Sequence, residues 1–254
     1  MQKNKEFQLL RGFAITAVVL IHLFNLAFLN IEKGASGYLS YQLVHSLLQF
    51  AVPCFIFLSS LLVSYTLKDK PFSFLKFYKK KLFSTLIPYI IVSLGVLIMQ
   101  VILGFLPFYK LFRPQSWFYW LAYGKAYTHL YFMSVIIQFY IVAPFMYFGL
   151  RVLLERVKKY QGLMVLIIAF LPQLTIYWIN KMYIYQYFSS SATLFVWYWC
   201  ISIIGLWIGY TYKEWQVYYE KHRFIFLTLS GAVAILYGVY RVKIVYNITI
   251  DTFH

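Results

Sequence analysis

Two polar side chains interrupt the apolar run LRGFAITAVVLIHLF (residues 10–24): Arg11 at its start and His22 deep inside it. An imidazole titrates near neutrality, which suits proton transfer. A guanidinium keeps its charge at any physiological pH and grips anionic groups as a fork. Eleven positions are about three helical turns, so a helix here shows both side chains on one face, about 16 Å apart along its axis. Each also has a plainer reading. Arg11 can be an anchor reaching lipid headgroups, and His22 a neutral imidazole hydrogen-bonded to a neighbouring helix.

Further candidates follow along the chain. Ser59 and Ser60 interrupt the aromatic-rich FAVPCFIFLSSLLVSY (50–65), either as small residues where helices pack or as hydroxyls that support a site. In PFSFLKFYKKKLFSTLIPYI (71–90) the cluster Lys79, Lys80 and Lys81 leads into a membrane helix. It reads as an orientation signal that attracts anionic lipid, or as a phosphate-binding entrance for a phosphorylated donor. The run THLYFMSVIIQFYIVAPF (128–145) carries His129 at the external membrane boundary, where a structural role and a site role are equally open, and Tyr140 further in as another candidate. Between these segments FRPQSWFYWLAYGKAY (112–127) is rich in tryptophan and tyrosine. That composition fits an interfacial belt or short re-entrant segment, and equally a platform for sugar rings. Cys54 and Cys200 fall inside apolar runs with neither zinc spacing nor a disulfide framework, and no metal constellation is visible. The seven acidic residues sit mostly in loops or tails, which argues against paired-carboxylate chemistry inside the membrane.

The elements that must position these groups are membrane helices. Of 254 residues 62% are hydrophobic and only 12% charged, where a soluble domain carries about a quarter charged. Seven stretches are long and apolar enough to cross a bilayer: Leu9–Leu29, Leu43–Thr66, Ser84–Leu106, His129–Gly149, Gly162–Ile179, Leu194–Tyr210 and Phe224–Tyr240. The expected fold is an all-α polytopic bundle of about seven helices in a single membrane domain, its first helix retained. Pro53, Pro88, Pro144 and Pro172 lie within the runs, where neighbouring helices must re-satisfy freed carbonyls. A β-barrel would instead alternate polar and apolar residues over about ten positions.

The net charge of +16 could suggest a nucleic-acid partner, but its distribution argues for the membrane. Sixteen of the twenty-three basic residues fall in the N-terminus and in the segments 68–81, 150–159 and 213–223, and seven in the alternate connections. That bias places the N-terminus in the cytoplasm, and expects a multi-pass membrane protein with no nucleic-acid partner.

Taken in order, LRGFAITAVVLIH, VPCFIFLSS, FLKFYKKKLFSTLIPY and HLYFMSVIIQFYIVAPF resemble the membrane-bound acyltransferase-3 family. The later segment WCISIIGLWIGYTYKEW looks like members that decorate or export poly-N-acetylglucosamine in intercellular-adhesion systems. The resemblance implies transfer of an acetyl or succinyl group from cytosolic acyl-CoA, a co-substrate with no resident cofactor, to a hydroxyl of a cell-surface or envelope glycan. The expected partners are the bilayer, acyl-CoA, the glycan acceptor and glycan-synthesis machinery. His22 matches the family's first-helix histidine and Arg11 its paired arginine. The sequence departs from the pattern in having Ser60 after Ser59 where glycine is frequent. It also has Ser84 or Thr85 where a second arginine of the third helix would fall. Members usually have about ten helices, so a shortened or C-terminally truncated chain is expected. A glycan exporter without acyl chemistry stays open as an alternative, and a seven-helix receptor has only the helix count behind it.

Overall fold

The computed structural model describes residues 5–28, 30–31, 37–68, 71–127, 130–184 and 193–251. The described secondary structure is helical: α1 (Lys5–Phe28), α2 (Tyr38–Leu48), α3 (Ala51–Leu67), α4 (Phe74–Ile102), α5 (Pro114–Ala122), α6 (Tyr131–Arg156), α7 (Gln161–Ile179), α8 (Trp199–Tyr210) and α9 (Tyr212–Asp251). Among the described residues six helical stretches are long and apolar enough to cross a membrane, and Phe195–Tyr210 is a shorter seventh. Each of the seven expected spans therefore has its helix.

The differences lie at the boundaries. The second span is interrupted: α2 ends at Leu48, Gln49 N–H bonds back to the Ser46 carbonyl, and α3 begins at Ala51. The third starts ten residues earlier than Ser84, because Ser73 in extended conformation caps α4 and its hydroxyl accepts from the Lys76 amide. The lysine cluster is thus helical rather than a lead-in. The last helix starts at Tyr212 and bends at His222, whose backbone leaves helical geometry.

The chain forms two compact units. The first comprises residues 1–58 and 211–254, where α2 packs against both α1 and α9. Ala14 and Ala17, the buried residues of α1, lie on one face. Ring contacts fix the antiparallel register of α1 and α2: Phe24 meets Tyr41 at 5.4 Å, Phe28 meets Tyr38 at 5.7 Å, and His45 stands edge-on to Phe28 at 5.4 Å.

The second unit, Ser59–Tyr210, packs α4 against α6, and α8 against α6 and α7. Gly104 closes α4. At φ +78° it supplies the left-handed turn, with its own N–H on the Val101 carbonyl and the Phe105 N–H on the Gln100 carbonyl. Pro172 deprives the Ile168 carbonyl of its helical donor. The indole of Trp199 supplies the replacement, with Nε1 2.9 Å from that oxygen. On α8 the residues Ser202, Gly205, Leu206 and Gly209 are all buried, a small-residue face that suits close helix packing. Gly209 lies against the backbone of Leu61, where an added Cβ would overlap the Leu61 carbonyl.

Candidate functional site

In the first unit α1 is continuous from Lys5 to Phe28, so Arg11 and His22 share a face. The rise between them, about 16 Å, rules out direct contact. Arg11 is exposed and His22 half-buried, with its Nδ1 out of solvent. An open cavity of about 620 Å³ is lined by Lys5, Gln8, Leu9, Gly12, Phe13 and Thr16, on a face of α1 turned away from both.

The same unit holds a second imidazole that the sequence reading passed over. The side-chain amide nitrogen of Gln49 lies 3.3 Å from Nε2 of His45, one helical turn away. His45 is half-buried in an apolar span, the condition that singled out His22. Its signal was present in LVHSLLQ, a histidine and a glutamine four residues apart in an otherwise apolar stretch.

The second unit brings two candidates together. Lys81 Nζ lies over the ring of buried Tyr140, 5.7 Å from its centre. Phe77, one turn before Lys81, meets the same ring edge-on. Lys79 and Lys80 are exposed, so of the three lysines Lys81 alone lies over Tyr140. Ser60 is buried and Ser59 half-buried on α3. His129 lies outside the described residues.

A polar hub on α6 had no counterpart in the sequence reading. The Gln138 amide nitrogen donates to the Thr193 carbonyl at 3.0 Å and to Ser134 Oγ at 3.1 Å, while its oxygen accepts the Phe195 N–H at 3.0 Å. Ser134 in turn donates to the carbonyl of Ala122, the last residue of α5. One glutamine thereby fixes the chain before α8 and, through serine, the end of α5. At the basic ends of α6 and α8, Arg151 pairs with Glu155 at 2.8 Å, and Lys68 lies over the Tyr210 ring at 4.9 Å.

Apolar helices of membrane-spanning length, with ionisable and amide side chains set on their faces, define a polytopic helical membrane protein. The chain belongs to the membrane acyltransferase-3 family: that family's model, described as an acyltransferase domain, matches residues 4–252. The protein is accordingly a membrane acyltransferase, a transferase of groups other than amino-acyl. The match extends well past the first 150 residues that carry the quoted segments. No curated protein and no solved structure matches the chain.

Proposed function

We propose that this acyltransferase moves an acetyl or succinyl group from cytosolic acyl-CoA to a hydroxyl of an envelope polysaccharide or its lipid-linked precursor, in a bacterial plasma membrane and beside glycan-synthesis machinery. In this reading His22 accepts the proton of the acceptor hydroxyl and the oxygen attacks the thioester carbonyl. The C–S bond then breaks, and the imidazolium returns the proton to the departing thiolate. Acyl-CoA is a co-substrate, and the reaction asks for no resident cofactor. Arg11 holds the anionic portion of the donor, and Lys81 contributes further positive charge.

The observation that carries the reading is α1: one unbroken helix with an exposed guanidinium near its charged end and a half-buried imidazole on the same face, about 16 Å further along. Such a separation suits a donor whose phosphates and reactive carbonyl are joined by an extended arm, as in a CoA thioester. Poly-N-acetylglucosamine is the first glycan to try, on the likeness of WCISIIGLWIGYTYKEW.

The test is transfer of label from radiolabelled acetyl-CoA or succinyl-CoA into the glycan fraction of membranes holding the parent chain or His22→Ala at matched levels. Label in the parent alone supports the assignment. Equal label in both removes His22 from the chemistry, and none in either, with donor and acceptor shown to be present, removes acyl-CoA as the donor.

A further inference from the structure

The aromatic stretch between α4 and α6 left two readings open, a belt in lipid and a platform for sugar rings. Its fold sorts the aromatic residues by type. The tryptophans turn inward: Trp120 is only 7% exposed, Trp117 stands edge-on to it at 5.6 Å, and the Trp117 indole donates to the Leu111 carbonyl at 2.7 Å. Both belong to one cluster with Leu97 and Ala126.

The backbone of the stretch is tied down by polar side chains of the membrane helices. The Tyr89 hydroxyl is directed at the carbonyls of Trp120 and Leu121, at 3.2 and 2.9 Å. The Gln100 amide donates to the Ala126 carbonyl at 2.9 Å, and Ser134 holds Ala122. Outward remain four phenylalanines, Phe105 at 78% exposure, Phe108 at 62%, Phe112 at 71% and Phe118 at 67%, with the less exposed Tyr109 and Tyr119 beside them. Lys110 and Arg113 lie among these rings, with the Arg113 guanidinium 4.8 Å from the centre of the Tyr109 ring.

Burying the apolar surface of a phenylalanine is favourable, so a segment held rigidly with four of them toward water forgoes that gain four times over. The four most exposed rings of the segment are phenylalanines, which carry no polar handle for a sugar hydroxyl. Apolar rings interspersed with tyrosine and basic residues, at the end of an apolar span, match the membrane–water boundary. The turn at Gly104 keeps the segment at the end of α4, opposite the Lys76–Lys81 run, instead of extending it into solvent.

We propose that Phe105–Tyr119 lies in the plane of the membrane interface. Its phenylalanines sit at the acyl boundary and Lys110 and Arg113 at the level of the lipid phosphates, so its occupant is the bilayer and not a glycan. The proposal is independent of which acyl group or acceptor the enzyme uses.

Spin labels placed by Phe112→Cys and by Phe118→Cys, in a full-length Cys54→Ala, Cys200→Ala background reconstituted in phosphatidylcholine–phosphatidylglycerol vesicles, test it. The comparison label is Glu214→Cys in the polar first turn of α9. The expected result at both sites is greater accessibility to dissolved oxygen and less to a water-soluble nickel chelate than at residue 214. Nickel accessibility equal to that at residue 214 overturns the proposal. Nickel accessibility that a glucosamine oligomer then suppresses overturns it in favour of sugar binding.

Discussion

Successive helical residues turn by about 100°, so of three adjacent lysines only one can face a given neighbour. On α4 that residue is Lys81, over Tyr140, while Lys79 and Lys80 face outward. On the proposed donor role, Lys81→Met raises the KM for acyl-CoA about tenfold, the loss of roughly 1.4 kcal/mol from one charge-assisted contact. Lys79→Met and Lys80→Met leave it within about twofold, as expected of exposed charges. Initial rates against donor concentration decide this, and equal effects at all three positions would return the cluster to a diffuse electrostatic role. His22→Gln, by contrast, should lower kcat by about 10²–10⁴ with membrane insertion unchanged. Arg11 and His22 stand out in the sequence as candidates because an ionisable group within an apolar run is costly. His45 obeys the same rule and was missed, because a single histidine without a matched motif reads as packing. Tyr140 becomes distinctive only once α6 places it under Lys81.

Proline positions in membrane helices are visible in a sequence, but the groups that compensate them are not. Pro172 frees the Ile168 carbonyl, and its donor comes from Trp199, twenty-seven positions beyond the proline and on another helix. Trp199→Phe leaves that carbonyl unpaired and should cost about 1–3 kcal/mol in unfolding assays in detergent. In a Pro172→Ala background the alanine N–H is restored to the carbonyl, so the same Trp199→Phe change should cost less. A double-mutant cycle measures the difference, and strictly additive costs would refute the pairing. Gly209 makes a separate prediction. Because its missing Cβ is what admits the Leu61 carbonyl, Gly209→Ala should destabilise the protein by about 1–3 kcal/mol, read as a lower melting temperature. The spacing GLWIG held the hint, two glycines four apart, but not the partner backbone. The spans themselves were readable from hydrophobic length. The break at Gln49–Phe50, the Ser73 cap and the bend at His222 were not, since each falls inside a composition that stays apolar or helical on both sides.

At the scale of the whole molecule the open question is parity. Phe195–Tyr210 has sixteen residues, about 24 Å of helix against a hydrocarbon core of about 30 Å. If it crosses, the basic residues divide sixteen against seven. If it does not, the three of segment 213–223 change sides, Arg241 and Lys243 return, and the division is fifteen against eight. Charge bias barely separates these topologies, so burial must decide. Among the described residues α8 has Ser202, Ile203, Gly205, Leu206 and Gly209 buried. A helix enclosed by protein on that scale need not match the lipid thickness with its own length, because its ends meet other helices and local thinning costs only fractions of a kcal/mol per ångström. The crossing topology is therefore expected, with residues 80 and 214 on the cytoplasmic side and residue 127 outside. In intact cells carrying single cysteines in the cysteine-free background, a membrane-impermeant maleimide should label Tyr127→Cys at once. It should label Lys80→Cys and Glu214→Cys only after permeabilisation. Labelling of residue 214 together with residue 127 in intact cells would place Phe195–Tyr210 on one side of the membrane and leave the enzyme with six crossings.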